Sequence, residues 1–254
     1  MMEIDDSNNP WFTKDRSESA SKRMPDKVFN GVRVSNPGLG LNIYHNAISK
    51  ENCEKYLNIL ENNLNGQTRY SWNEAKVTNS DKPMKYARNC SDFKYNLHSI
   101  GPRDEHNAEL IDMHQEIYNS LKTYVDEYAT YWGINVVYYE AFNFVKYEGP
   151  GQQFRIHADH GPAYNTTVSV VIYLNDDYEG GELFFPRLDN LVYKPQFGDI
   201  AIFPSNYIYE HASLDMISGT KYCIVIMTDI NVIGHEHRGY DALKASMLLR
   251  SKND

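Results

Sequence analysis

The sequence predicts a mainly β domain of sandwich or barrel type preceded by two helices that cover one sheet, and three observations carry the prediction. Beyond Gly133 the chain breaks into short β-like runs at about 134–147, 154–159, 166–174, 182–185, 191–193, 199–203, 207–212 and 221–228, punctuated by Gly, Pro and Asn clusters. Ahead of them, apolar residues return at three- and four-residue steps in two stretches, the period of an amphipathic helix. The 20 tyrosines and three tryptophans of this 254-residue chain favour strands and suit a pocket that stacks on a ligand.

Residues 1 to about 35 are rich in Ser, Asn, Asp and Lys without apolar periodicity, which predicts a loose or docked arm. From Leu41 a short strand runs into Ser49, a candidate N-cap, and a helix follows with Cys53, Tyr56, Leu57 and Leu60 on one face. Asn65-Gly66 is expected to stop it. After a polar stretch through Asp81, the second helix spans about Asp104 to Trp132, with Leu110, Ile117, Leu121, Val125 and Tyr128 on its apolar face and Gly133 at its end. A double-layered β fold of this length commonly stays single, so we expect one domain over 36–230 and a polar tail over 231–254.

A formal net charge of −9 repels a phosphate backbone and disfavours nucleic acid as a partner. Three cysteines without a CxxC pair fit a reducing compartment. The polar, acidic start MMEIDDSNNP does not read as a secretory signal, and the apolar run Cys223 to Met227 is far too short for a bilayer. The expectation is a cytoplasmic protein with no membrane partner; the oligomeric state stays open.

In a strand, residues i and i+2 share a face, so His157 and Asp159 in FRIHADHG can bind one ion side by side. His211 in YIYEHASL opens a distant segment that a sheet can bring opposite them. Two imidazoles and one carboxylate occupy one face of an octahedron and leave three positions open, which suits non-haem iron(II) binding O2 and a chelating co-substrate. Lys221 follows His211 by ten residues across Ser218-Gly219, and a hairpin there would return its ammonium to the same cavity mouth to pair with a carboxylate. The same ligand types can hold zinc, although structural zinc more often recruits cysteine.

The stretch from Phe144 to Ile230 resembles the prolyl 4-hydroxylase branch of the iron(II)- and 2-oxoglutarate-dependent dioxygenases. NFVKYEGPGQQFRIHAD, VSVVIYLNDDYEGGELFFP, KPQFGDIAIFPS and HASLDMISGTKY follow the family's blocks in order, with weaker similarity in IYHNAISKENCEKY and ARNCSDF. The resemblance implies a double-stranded β-helix, or jelly roll, of cupin-like form flanked by N-terminal helices. It implies iron(II) on His157, Asp159 and His211, with 2-oxoglutarate and O2 as co-substrates and ascorbate as an accessory reductant. Lys221 then anchors 2-oxoglutarate, Tyr147 lines its pocket and Tyr173 reaches its distal carboxylate. The implied reaction is C–H hydroxylation with release of succinate and CO2. Peptidyl proline is the implied substrate; a free amino acid, another protein side chain or a metabolite could occupy the same pocket. Leu183 stands where the family often has Thr, and Met227 where it often has Trp. Nucleobase repair is disfavoured, because no Arg follows His211 before Arg238. A non-catalytic cupin-like binding module is the rival of another class.

Other residues carry blander expectations. Gly180 and Gly181 serve a tight turn. His160 faces away from Asp159 in a regular strand, which makes it a rim contact. His235 and His237 lie in the polar tail, and His106 and His114 are too far apart on the second helix to share an ion.

Overall fold

The computed structural model describes residues 26–62, 71–77, 80, 82–95, 103–105, 107–161, 165–232 and 235. Strands β1 (Lys27–Phe29), β2 (Val32–Gly38) and β3 (Leu41–Tyr44) precede helix α1 (Lys50–Asn62). Short strands β4 (Asn73–Glu74), β5 (Arg88–Asn89) and β6 (Ser91–Tyr95) lead to helix α2 (Ala108–Trp132). There follow β7 (Tyr138–Tyr139), β8 (Phe142–Glu148), β9 (Gln153–His157), β10 (Val168–Tyr173), β11 (Glu179–Gly180), β12 (Leu183–Phe185) and β13 (Leu191–Tyr193). The last are β14 (Ile200–Pro204), a 3-10 turn at Tyr207–Tyr209, β15 (His211–Ser213), β16 (Met216–Ser218) and β17 (Thr220–Asp229).

Two antiparallel sheets face one another as a jelly roll. The large sheet runs β1-β2-β3-β14-β10-β17-β8-β6-β4, with β7 added to β17, and the small one runs β13-β12-β15-β9-β5. A third pair, β11 with β16, lies apart from both. Period-two alternation sorts the large sheet's side chains. Val168, Val170 and Ile172 of β10, Ile224 and Ile226 of β17, and Phe142 and Phe144 of β8 face the helices. Val171 and Tyr173, Cys223, and Val145 and Tyr147 of the same strands face the small sheet, where Leu183 and Phe185 meet them. Strands buried on both sides read as continuous apolar runs, which is what VSVVIYL and CIVIM are.

Both helices form where their periodicity places them. The Ser49 hydroxyl accepts the Asn52 N–H at 3.2 Å, so it caps α1, whose Cys53, Tyr56, Ile59 and Leu60 are buried. Asp104 and Asn107 exchange reciprocal backbone-to-side-chain bonds of 2.8 and 3.0 Å that delay α2 to Ala108. Gly133 ends α2, its N–H directed to the carbonyls of Ala129 and Thr130. Leu110, Ile117, Leu121, Val125 and Tyr128 are all buried, each worth about 1.5–3 kcal/mol relative to exposure for side chains of this kind. The Asn65-Gly66 stop lies outside the described residues. Among the described residues no helix is long and apolar enough to cross a membrane.

The N-terminal boundary differs from the expectation of an arm through residue 35. Asn30 and Gly31, with φ of 49° and 80°, form a two-residue turn that pairs Phe29 with Val32, and the β1–β2 hairpin extends the large sheet. Positive φ at both central residues is what an Asn-Gly hairpin turn requires. Lys27 of β1 and Tyr44 of β3 both bond to Glu127 on α2, which ties this edge to the helix layer.

Candidate metal centre and co-substrate pocket

His157 and His211 are cross-strand partners, Cα to Cα, in the antiparallel pair β9–β15. Asp159 completes the cluster, although not in the way the i, i+2 rule supposes. β9 ends at His157, and the chain bends away through Ala158 and Asp159 before the His160 N–H donates to the Ser205 carbonyl at 2.9 Å. The ladder therefore does not aim Asp159. One ligand atom from each of His157, Asp159 and His211 lies within 4.8 Å of the other two.

Hydrogen bonds settle the imidazole tautomers. The Nδ1 of His157 is 2.8 Å from the Arg155 carbonyl, and the Nδ1 of His211 is 3.1 Å from the Tyr209 carbonyl. A carbonyl only accepts, so each Nδ1 carries the hydrogen and each Nε2 keeps its lone pair. Both Nε2 atoms point at Asp159, at 3.5 Å to Oδ1 and 3.8 Å to Oδ2. Burial pushes the His211 imidazole down to about 4, against the raising influence of Asp159, so it is neutral at pH 7. Burial alone would raise the Asp159 carboxyl; His211, His157 and the Ser169 hydroxyl together outweigh it and hold it at about 2. Two neutral nitrogens and one anionic oxygen converge on one point, a donor set that fits a divalent transition metal.

The cluster sits in a cavity of about 150 Å³ between the two sheets, several times the ~30 Å³ share of one water. Its opposite wall is the inner face of the large sheet. Lys221 on β17 is 2% exposed and pairs in register with Tyr147 on β8, and Tyr173 follows on β10. The ammonium stands 5.1 Å from the Tyr147 ring centre and 5.4 Å from that of Tyr173. It donates to the Gly181 carbonyl at 2.6 Å and to the Ser213 hydroxyl at 2.9 Å. Among the described residues it forms no ion pair with a carboxylate, and burial pushes it down to about 8. Burial raises the Tyr147 and Tyr173 phenols well above their ordinary value, so both are neutral donors. A buried cation without an anion, flanked by phenols, is a cradle for a ligand carboxylate.

Lys221 does not arrive by a hairpin. β16 pairs with β11, and the chain crosses at Gly219 from that pair into β17 of the large sheet. Lys221 and His211 thus face each other across the cavity.

Several contributors escaped the sequence pattern. Ser213 is two residues beyond His211 on β15, and Ser169 is four before Tyr173 on β10, spacings that put each on the cavity face. Gly181, at φ 65°, lends its carbonyl to Lys221, and a Cβ there would stand 2.6 Å from the Met216 sulfur and 3.2 Å from Lys221 Cδ. It is more than a turn residue. Phe154 stacks on the His157 ring with centroids 3.6 Å apart, and the Arg88 guanidinium, paired with Asp92 at 2.8 Å, covers the other ring at 4.9 Å. Leu183 and Met227 both line the cavity.

The remaining histidines lie elsewhere. His160 is exposed, with Nδ1 2.9 Å from the Thr166 carbonyl. His235 is fully buried rather than in a polar tail: its Nε2 is 2.8 Å from Asp229 and its ring stacks on Tyr138. His114 stacks on Phe142 in the helix-side core, and His106 and His237 fall outside the described residues.

Residues 142–228 match the family model of the 2OG-Fe(II) oxygenase superfamily. The jelly roll matches a prolyl hydroxylase from Trichoplax adhaerens, solved in complex with a hypoxia inducible factor oxygen degradation domain peptide fragment, with a TM-score of 0.60 at 17% identity over 75% of this chain and 84% of that one. Weaker matches include the collagen prolyl hydroxylase of Paramecium Bursaria Chlorella virus-1 (TM-score 0.47, 19% identity, 74% and 95% coverage) and a Pseudomonas putida prolyl-4-hydroxylase (TM-score 0.47, 18% identity, 75% and 92%). No curated protein sequence matches the chain significantly. The matched segment, which holds His157, Asp159 and His211, resembles the 2OG-Fe(II) oxygenase superfamily and supports an enzyme of the dioxygenase and hydroxylase class. The fold is prolyl-hydroxylase-like, and iron(II), 2-oxoglutarate and O2 are the reagents implied by the superfamily that the matched segment resembles.

Proposed function

We propose that the protein is a hydroxylase in which His157, Asp159 and His211 hold iron(II) and Lys221, Tyr147 and Tyr173 hold 2-oxoglutarate. The observation that carries the reading is the pairing of two facing walls: three convergent donor atoms on one, and on the other a buried cation with no carboxylate partner among the described residues. When bound, the iron and its co-substrates supply the oxidising chemistry, leaving succinate and CO2 as by-products. The chain supplies the rest. The two Nε2 lone pairs and the Asp159 carboxylate would hold the metal, leaving room on its open side for co-substrate and O2. Lys221 pairs with the distal carboxylate, the Tyr147 and Tyr173 rings keep water from that end, and Gly181 and Ser213 hold the ammonium in place.

Peptidyl proline is the substrate class we assign, supported by the prolyl-hydroxylase fold and by the peptide named with the Trichoplax structure. A second reading, the same chemistry on a free amino acid, another protein side chain or a metabolite, draws on Leu183 and Met227 in the cavity wall. Ascorbate serves as an accessory reductant in either case. We assign the chemistry to a single catalytic unit that begins at the β1–β2 hairpin, and a cytoplasmic setting, supported by three buried free cysteines. Calorimetry with manganese(II) should show 2-oxoglutarate binding only when metal is present; metal-independent binding would favour a non-catalytic cupin-like module. Mass spectrometry of proline-rich peptides should show a gain of one oxygen on proline. Unmodified peptides alongside 2-oxoglutarate consumption on another substrate would overturn the proline assignment.

A further inference from the structure

The three candidate ligands are not held by the same means. His157 and His211 sit on paired strands and each is fixed through Nδ1 by a backbone carbonyl. Asp159 lies beyond the end of β9, and among the described residues neither the ladder nor a backbone amide orients its carboxylate. What holds it is a pair of buried hydroxyls. The Ser169 Oγ is 2.6 Å from Asp159 Oδ2, and the Ser205 Oγ is 2.8 Å from the Ser169 Oγ. Ser169 is 0% and Ser205 1% exposed, so no water competes for either bond.

A hydroxyl has one hydrogen, and an ionised carboxylate only accepts. The Ser169 hydrogen therefore goes to Asp159. Its contact with the Met227 sulfur at 3.7 Å is then packing, and Ser205 must donate to Ser169. The relay has one direction, from Ser205 through Ser169 to Oδ2. Its far end is anchored by backbone, since the Ser205 N–H donates to the Thr167 carbonyl at 3.0 Å and its carbonyl accepts from the His160 N–H at 2.9 Å. That last bond also fixes the segment carrying Asp159, so both side chain and main chain of this ligand are tied to the end of β14.

We propose that Ser169 and Ser205 are positioning residues for the metal, holding the Asp159 carboxylate through Oδ2 so that it is presented in one fixed orientation beside the two Nε2 atoms. The proposal rests on the metal assignment made above. Without the relay that fixed orientation would be lost, and with it part of the grip on the metal. Partners that orient a metal ligand typically carry 10- to 100-fold in affinity.

The test is manganese(II) titration of the full chain without 2-oxoglutarate, reading free ion by paramagnetic resonance, with cobalt(II) absorption as the record of ligand geometry. Ser169→Ala should weaken manganese binding about 10- to 100-fold and shift the cobalt bands. Ser205→Ala should weaken it about 2- to 10-fold, and Ser169→Thr, which keeps the hydroxyl, should recover most of the loss and the parent spectrum. Ser169→Ala binding within twofold of the parent, with unchanged cobalt bands, overturns the proposal while Asp159→Ala still loses the metal. Should Ser169→Ala fail to fold, Ser205→Ala decides, and parent-like affinity there overturns it equally. Retained binding in Asp159→Ala removes the metal assignment itself, and the relay with it.

Discussion

The two walls of the cavity are built on different principles. On the small sheet, the candidate metal ligands sit at or just past strand ends: the His157 side chain keeps 21% of its exposure, while those of Asp159 and His211 keep 6% and 9%. On the large sheet, Lys221, Tyr147 and Tyr173 sit within strands paired on both sides and are at most 4% exposed. The difference shows a division of labour. In the proposed assignment the metal ligands stand at strand ends, with His157 at the opening, and the carboxylate anchor stands mid-strand where water is excluded and charge interactions are strong. The anchor's charge is desolvated before any ligand arrives and costs stability, whereas the buried Asp159 carboxylate already has the Ser169 hydroxyl and two imidazoles beside it.

The contrast can be broken most forcefully at the metal wall. His157→Ala and Asp159→Ala should each abolish succinate release and metal-dependent 2-oxoglutarate binding; substrate-coupled release surviving in both variants would sink the metal assignment. Lys221→Met should leave manganese binding intact and weaken 2-oxoglutarate binding about 100- to 1000-fold, the loss expected when a buried ion pair forfeits one partner. Its effect on stability has the opposite sign. With the desolvated ammonium gone, the ligand-free protein should gain about 1 kcal/mol or more in denaturant unfolding, and a clear loss would show that the buried charge is not a burden.

A smaller effect is expected from pH. Lys221 titrates near 8 in the ligand-free protein, and only its charged form pairs with a carboxylate. The affinity for 2-oxoglutarate should be flat below pH 8 and fall above it, by up to about tenfold per unit. The sign for stability runs the other way: the folded value lies below the ordinary 10.5, so the unfolded chain holds more protons between about 8 and 10.5, and this group adds stability as pH rises through that window. Calorimetry across pH 6.5–9.5 would check the affinity profile, a range chosen as roughly the span about the shifted value. The smallest effect should come from the rim of the small sheet. Arg155 and Asp215 form an exposed two-bond ion pair at 2.8 and 3.3 Å, and Arg155→Ala should change stability by less than about 1 kcal/mol and leave the Kd for 2-oxoglutarate unchanged.

Both helices and the strands of the second half were readable because their signals are local. The periodicity around Leu121 and the apolar runs VSVVIYL and CIVIM each name their own element. Asn30-Gly31 was also a local hairpin signal, lost in the polar composition around it. What could not be read was whatever depends on strands far apart in sequence. The spacing from His211 to Lys221 suggested a hairpin, whereas the chain changes sheets at Gly219, and ten residues accommodate either path. The i, i+2 rule placed His157 and Asp159 together for a reason that fails at the end of β9; the Asp159 carboxylate is bonded instead by Ser169 of β10, backed by Ser205 just past β14. His235 looked like tail because its partners, Asp229 and Tyr138, belong to β17 and β7.

The direct opposition of His157 and His211 across β9 and β15 has a consequence for how the molecule assembles. In an antiparallel pair, slipping one strand by a single residue turns its side chains to the other face. His211 would then leave the cavity and the three donors could not converge. An ion that needs both imidazoles therefore binds only chains whose small sheet has closed in the correct alignment, and by binding them draws the folding population toward that alignment. On the proposed assignment, metal occupancy would proofread strand pairing as well as serve the chemistry.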